Sequence, residues 1–338
     1  MTKTPLSLAL IASSALVLAG CQTATVEEVV EQEVQTEAPA IPSGPTVVAT
    51  TTMLGSVVSD ILTCAVGDDS GLTVLFPIGA DPHDFQPSSA QVASMSTADL
   101  VVANGLFLEE GLVAALSALS EEGAPILEVA ELVDPLAYGE GDGHDHGHNH
   151  GHDDAKEEEL DDHGDFDPHF WMDMSRMATV AELIGNELAS SGVEFVECGQ
   201  TVAEEIRQAE VAVVEILSGI PEANRVLVTD HDALSYFADS YGFSVVGVVI
   251  PGGSTLAEPN SRELAALVSV IRQENVRAIF ANIATASDVV KVLADEVGQD
   301  VSVVNIFVGS LGGPGTGAET YLDMMTTNAS LMAKALTD

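Results

Sequence analysis

The chain has 338 residues, enough for about two domains, and 46% of them are hydrophobic, so it can bury sizeable cores. Only 10 lysine and arginine residues stand against 53 aspartate and glutamate residues, which gives a formal net charge of −43. Because nucleic-acid binding depends on basic side chains that neutralise phosphates, this balance excludes a nucleic-acid partner. Most of the charge is expected to form a solvated acidic surface, whose field concentrates cations near the protein.

The N-terminus has the features of an export signal. Lys3 supplies a positive start, and residues 6–18 form an apolar run that is too short to span a bilayer. The Leu-Ala-Gly-Cys that follows resembles the bacterial lipobox, in which the cysteine becomes the lipid-bearing N-terminus after cleavage. We predict a signal peptide over residues 1–20 and a lipid anchor on Cys21. The alternative is an ordinary signal peptide that happens to contain a cysteine.

After a predicted tether at residues 21–45, the first half of the chain alternates between strand and helix patterns. Residues 21–45 are rich in Glu, Thr, Val, Ala and Pro and show no core pattern, so they are predicted to be flexible. The predicted helix that starts at Ser88 opens with a capping box. The predicted elements are strands at 46–51, 73–76, 100–103 and 125–129, and helices at 55–66, 88–97 and 108–119.

A polar insert interrupts this alternation at residues 139–165. It consists largely of Gly, His, Asp, Asn and Glu, so it cannot pack a core and is predicted to be a mobile loop. Alternating histidines can collect metal weakly, because flexible ligands lose entropy on ordering. The alternative is a solvated polar insert. Six of the nine histidines lie here: His144, His146, His148, His150, His152 and His163.

Helical patterns and a second strand–helix series follow the insert. They predict helices at 174–190, 193–217, 233–241, 261–274, 287–297 and 318–336, and strands at 225–229, 244–250, 278–281 and 301–307. The helix that begins at residue 193 is long enough to bridge two domains. We therefore predict an α/β fold with two parallel-sheet domains, at 46–192 and 221–338, connected by a linking helix at 193–220.

The other three histidines lie where a ligand site would form. His83 and His169 each follow Asp-Pro on a stiff turn, and His231 follows a predicted strand. Ligands of open α/β sheets bind beyond the carboxyl ends of strands, so the three can converge in the cleft between the domains. Imidazole suits zinc, whereas manganese favours carboxylate-rich sites. We predict a zinc site here, with satisfied core histidines as the alternative.

Two cysteines remain after Cys21 is set aside. Cys64 and Cys198 belong to an exported chain, and an even number of cysteines in an oxidising compartment suggests one disulfide. Two unpaired buried thiols are the alternative.

Five motifs carry a resemblance to a known family. Each motif alone is a weak signal, but their order, together with the lipobox and the His-rich insert, makes the resemblance specific. They lie at residues 79–87, 98–105, 167–173, 231–237 and 313–321. With them the chain resembles the zinc/manganese solute-binding proteins of metal ABC transporters, the cluster A-I or ZnuA-like group, from Thr46 to Ala335. The resemblance implies two lobes joined by one rigid helix.

The resemblance also implies a function. The chain is expected to be a monomeric, high-affinity zinc-binding lipoprotein on the outer face of the cytoplasmic membrane or in the periplasm, and not an enzyme. It would deliver Zn²⁺ to an ABC transporter permease. The resemblance implies that His83, His169 and His231 are the metal ligands. Members with histidine at the third position are usually zinc proteins, while manganese members tend to carry glutamate there, so Mn²⁺ is the less expected cargo.

One position departs from the family pattern and puts the fourth ligand in question. The family often has an aspartate in Tyr-x-Asp-Ser-Leu-Gly, and Gly309 stands in its place. Because zinc prefers four ligands, we expect a water at the fourth position, with Glu258 as the alternative. Asp230 and Asp232 flank His231 and are expected to orient it without binding the metal.

Two other kinds of function stay open at this point. Three histidines and a water also describe a zinc hydrolase, with Asp232 or Glu258 as general base. A metal that pins two domains together makes a poor reaction centre, however. A surface adhesin or zinc buffer would instead use the acidic surface and the His-rich insert.

Overall fold

The computed structural model describes residues 44–138, 164, 166–285, 288–298 and 301–337. The predicted signal peptide, nearly all of the tether, the lipobox cysteine Cys21 and the six histidines of the insert lie outside the described residues. Within the described ranges, no helix combines the length and the apolar character that crossing a membrane requires.

The first lobe is built on a parallel sheet of four strands. Its strands are β1 (Val47–Ala49), β2 (Leu72–Val74), β3 (Leu100–Ala103) and β4 (Ile126–Glu128), in the order β2-β1-β3-β4. The two central strands are buried throughout, as parallel strands are when helices cover both faces. The helices of this lobe are α1 (Thr52–Val66), α2 (Ser89–Ser96) and α3 (Val113–Glu121).

Two packed helices then lead to the second lobe. They are α4 (Met174–Glu187) and α5 (Val193–Ser218), and the 26 residues of α5 extend over about 39 Å. Facing glycines let them approach closely, since a Cβ on Gly199 would lie 2.9 Å from the Gly185 Cα. A disulfide between Cys64 and Cys198, with Cα atoms 5.8 Å apart, joins α5 to α1. The linking helix is therefore fixed to two neighbours near its N-terminal end.

The second lobe repeats the design of the first. Its strands are β5 (Val226–Thr229), β6 (Ser244–Val248), β7 (Ala278–Asn282) and β8 (Ser302–Ile306), all parallel in the order β6-β5-β7-β8. Its helices are α6 (Ser235–Tyr241), α7 (Ser261–Gln273), α8 (Asp288–Val297) and α9 (Tyr321–Thr337). The predicted α/β fold with two parallel sheets is confirmed.

A shared apolar core lies between the two sheets. One buried cluster contains Val47 and Val102 from the first sheet, Phe280 from the second and Ile206 from α5. Each sheet has one smaller apolar cluster on its other face. It lies under α2 and α3 in the first lobe and under α7 and α8 in the second. Residues of both lobes therefore contribute to one common interior.

Element boundaries differ from the prediction where a turn or cap intervenes. The helix predicted from residue 108 becomes α3 only at residue 113, because Leu106 and Phe107 adopt positive φ angles of 51° and 61° and a short 3₁₀ turn follows. The closing helix starts at residue 321 and not at 318. There the Thr320 hydroxyl accepts a hydrogen bond from the Asp323 N–H at 3.2 Å.

Candidate metal centre

Three buried histidines converge between the two sheets. One ring nitrogen from each of His83, His169 and His231 lies within 4.8 Å of the other two, and the side chains are only 3%, 1% and 2% exposed. The Nε2 atoms of the first two are 3.3 Å apart. Two nitrogens bound to one tetrahedral zinc at ~2.0 Å would be about 3.3 Å from each other. The rings are therefore spaced as ligands of a single small cation.

His83 is presented by the turn that follows the edge strand β2. The chain continues past the strand through Phe76, whose N–H still donates to the Thr50 carbonyl at 3.0 Å. Asp81 then fixes the turn, because its Oδ1 accepts a hydrogen bond from the backbone N–H of His83 at 3.1 Å. The proline between them restricts the backbone further. This is the stiff Asp-Pro-His turn that the sequence predicted.

The segment that carries His169 is held by both lobes. From the first lobe, the Asn104 side chain donates to the carbonyl of Pro168 at 3.0 Å. From α6 of the second lobe, the Tyr236 hydroxyl donates to the carbonyl of Asp167 at 2.7 Å. His169 thus lies where the two lobes meet, at a position that the predicted domain bounds place in the first domain.

Carboxylates orient two of the three rings. Asp167 Oδ1 lies 2.7 Å from Nδ1 of His169, and Asp230 Oδ1 lies 2.9 Å from Nδ1 of His231. Asp230 is itself fixed, since its other oxygen accepts a hydrogen bond from the Asn282 N–H at 2.8 Å. A carboxylate that accepts a hydrogen bond from Nδ1–H fixes the proton on that nitrogen and leaves the lone pair of Nε2 for a metal. Sequence reasoning missed Asp167, although the repeated Asp-Pro-His pattern contained the signal.

The other acids named from the sequence are placed differently. Asp232 accepts a hydrogen bond from the Ser235 hydroxyl at 2.9 Å, at the start of α6, and its charge contributes weakly to raising the pKa of His231. Glu258 is exposed on the loop before α7 and does not belong to the converging group among the described residues.

Gly309 lies against the turn that carries the first histidine. Its N–H donates to the Asn282 side-chain oxygen at 3.3 Å. A Cβ at this glycine would lie 3.0 Å from both the Asn282 amide nitrogen and Cδ of Pro82. A side chain at position 309 would therefore press on the residue that directly precedes His83.

The pKa shifts favour the neutral imidazole at His169 and favour protonation at His231. Burial, reinforced by the neighbouring histidines, holds the pKa of His169 well below its ordinary value. Burial alone would lower the pKa of His231, but the charge and hydrogen bond of Asp230 outweigh it and raise that pKa. Burial also raises the pKa of Asp167 to about 7. Since only neutral imidazole binds metal, protons reach His231 before His169 on acidification.

Comparison with known proteins places this geometry in a family. The profile of the family described as ZnuA, zinc-uptake complex component A periplasmic, matches residues 47–335. The chain belongs to this family. The zinc-binding protein TroA of Treponema pallidum is 29% identical over 302 residues, which cover 86% of this chain and 89% of TroA. The manganese-binding lipoprotein MntA of Halalkalibacterium halodurans is 26% identical over 285 residues, 83% of this chain and 86% of MntA.

A solved structure supports the same assignment. The periplasmic zinc-binding protein TroA from Treponema pallidum superposes with a TM-score of 0.71 at 28% identity, covering 87% of this chain and all of that chain. The protein is thus the substrate-binding component of a metal ABC transporter and not an enzyme. The zinc hydrolase considered from the sequence is not supported.

Proposed function

We propose that the protein captures Zn²⁺ outside the cytoplasm through His83, His169 and His231 and delivers it to the permease of its ABC transporter. The observation that carries this proposal is the convergence of three buried imidazoles at a spacing that suits one tetrahedral ion. Relatives named as lipoproteins support an anchor on Cys21, which would keep the protein at the outer face of the membrane.

The donor set supports zinc over manganese. Relatives of this chain are named for both metals, so family membership alone leaves the choice open. The converging group among the described residues offers three ring nitrogens and no carboxylate oxygen. Nitrogen ligands suit zinc, whereas manganese favours oxygen. A water at the fourth coordination position completes the shell in this proposal, because Glu258 is exposed on its loop.

Calorimetry with Zn²⁺ and Mn²⁺ tests the proposal. His231→Ala should weaken zinc binding by orders of magnitude, since two histidines cannot complete the shell. His231→Glu should lose less zinc affinity than His231→Ala, and it should shift the metal preference toward manganese, because it replaces a nitrogen ligand with an oxygen ligand. His152→Ala in the insert is the matched control and should retain the tight site. Wild-type zinc affinity in His231→Ala would overturn the site assignment.

A further inference from the structure

His83 differs from the other two ligands in how its ring is held. Its Nδ1 atom is buried and makes no hydrogen bond within the described ranges. A carboxylate nevertheless faces it, because Oε1 of Glu110 lies 3.5 Å from this nitrogen. Glu110 begins the short 3₁₀ turn before α3 and is 22% exposed, while His83 is 3% exposed. The distance is just beyond that of a hydrogen bond, so a small rotation of either side chain would close it.

The second lobe holds the Glu110 carboxylate in this position. The Ser254 hydroxyl, on the loop after β6, donates to Oε1 of Glu110 at 2.5 Å and is itself only 3% exposed. The same hydroxyl accepts a hydrogen bond from the Leu256 N–H at 3.2 Å, which fixes its direction. The neighbouring Gly253 packs so closely on Tyr138 that a Cβ at this position would collide with the tyrosine hydroxyl. The loop is therefore seated closely against its surroundings.

The next residue of that loop makes a parallel contact. The Thr255 hydroxyl donates to Oδ2 of Asp81 at 2.5 Å, while the other oxygen of Asp81 accepts from the backbone N–H of His83. Two successive hydroxyls of the second lobe thus bind the two acids that border this first-lobe histidine. Both contacts exist only when the lobes are together.

We propose that Glu110 is the positioning residue for His83 and that Ser254 holds it there only in the closed cleft. This inference rests on the proposed function. When Nε2 of a neutral imidazole binds metal, the proton must reside on Nδ1, which then becomes a donor that needs an acceptor. Glu110 supplies that acceptor, as Asp167 and Asp230 do for the other rings.

The arrangement couples metal release to separation of the lobes. As the lobes part, Glu110 loses the Ser254 hydroxyl and turns toward water, so His83 loses its acceptor and its fixed orientation. A ligand without its outer partner binds metal more weakly, commonly by about 10- to 100-fold. The permease therefore needs only to open the cleft in order to weaken the site from the side of the first lobe.

The test compares zinc affinity and zinc dissociation rate in Glu110→Gln and Ser254→Ala, with chelator competition and stopped-flow release. Glu110→Gln should weaken binding by about 10- to 100-fold. Ser254→Ala should release zinc faster than wild type, and Ser254→Thr should restore the slow rate. The matched control is Ser310→Ala. The Ser310 hydroxyl also joins the lobes, because it accepts a hydrogen bond from the Gly79 N–H at 2.8 Å, and its removal leaves the bond between Ser254 and Glu110 in place.

A spectroscopic signature separates positioning from general stability. In the zinc-bound wild type, the Nδ1 proton of His83 should give a hydrogen-bonded NMR resonance that is shifted or lost in Glu110→Gln and retained in Ser310→Ala. If both test variants match the control in affinity, release and resonance, the role of Glu110 is overturned. If His83→Ala binds zinc as well as wild type does, the proposed site itself is wrong, which is a distinguishable result.

Discussion

The Nε2 atoms of His83 and His169 lie 3.3 Å apart although 86 positions separate the two residues in the chain. Each ring is carried by an Asp-Pro-His turn, and in each turn the aspartate accepts a hydrogen bond from the backbone N–H of the histidine. The two aspartates differ in their other hydrogen bonds. Asp167 also bonds its own histidine's ring, whereas Asp81 reaches across to Thr255 of the second lobe. One local pattern thus presents two histidines of the candidate site, and its aspartates have different partners.

Zinc binding should weaken as the pH falls, because protons compete with the metal for His231. Since Asp230 raises the pKa of this imidazole above its ordinary value, the competition begins at a higher pH than it would at an unperturbed histidine. Zinc titrations at a series of pH values should show the affinity beginning to fall above the ordinary titration range of histidine.

The Asp230→Asn variant should separate two effects of the carboxylate. Removing its charge lowers the pKa of His231, so acid release of zinc should begin at a lower pH than in wild type. The affinity at high pH should fall by about 10-fold or more, because the ring loses its orienting partner. Asp232→Asn is the comparison and should shift the profile less, because Asp232 bonds Ser235 and acts on the imidazole through its charge, more weakly than Asp230 does. An acid-release profile of Asp230→Asn identical to that of wild type would contradict this assignment.

Much of the centre was predictable because it rests on local chemistry. The strand at 226–229 ends two residues before His231, and the two Asp-Pro-His turns indicate stiff loops, so the convergence of the three histidines was predictable from strand ends and turn residues. The predicted capping box at Ser88 is present, and the serine side chain accepts a hydrogen bond from the Gln91 N–H.

Partners that are distant in sequence were not predictable in the same way. Glu110 lies 27 positions after His83, in a segment whose pattern predicts an unbroken helix, and Ser254 comes from the other lobe. No local periodicity encodes such pairs, since they arise only when two lobes pack together. The flanking position of Asp232 predicted a role beside His231, and its charge contributes to the raised pKa of that imidazole, but its hydrogen bond to Ser235 at the start of α6 was not predictable from spacing.

The His-rich insert should collect zinc without forming the tight site. Deletion of residues 141–163 is expected to leave one tight equivalent and to remove weaker ones in a zinc titration, because flexible ligands lose entropy on ordering. A variant with the same length but all six insert histidines replaced by serine is the control for loop length. Loss of the tight site in the deletion would refute this division of roles.

Substitutions at Gly309 should distinguish crowding from coordination. Gly309→Ala adds a methyl group within about 3.0 Å of Pro82, so it should disturb the His83 turn and weaken zinc binding. Gly309→Asp adds the same crowding plus a carboxylate. Relative to the alanine variant, it should bind metal more tightly and shift preference toward Mn²⁺. Equal affinities and equal zinc-to-manganese ratios for the two variants would show that this position does not face the metal.

The disulfide should stabilise the fold without altering the metal site. Cys64 and Cys198 are 134 positions apart, so their bond closes a long loop between α1 and α5. The double variant Cys64→Ala and Cys198→Ala should lose about 2–5 kcal/mol of unfolding free energy, measured by denaturant unfolding. Its zinc affinity should match that of wild type. Free thiols at both positions in protein isolated from the cell envelope would contradict the predicted bond.

An anomalous difference map at the zinc absorption edge tests whether one Zn²⁺ is held by His83, His169 and His231. We expect a single strong peak between the lobes, about 2.0 Å from a ring nitrogen of each histidine. The peak should vanish in data collected just below the edge, which identifies the metal. A peak bound by only one or two of these rings, or located elsewhere in the protein, would show that the three histidines do not form the zinc site.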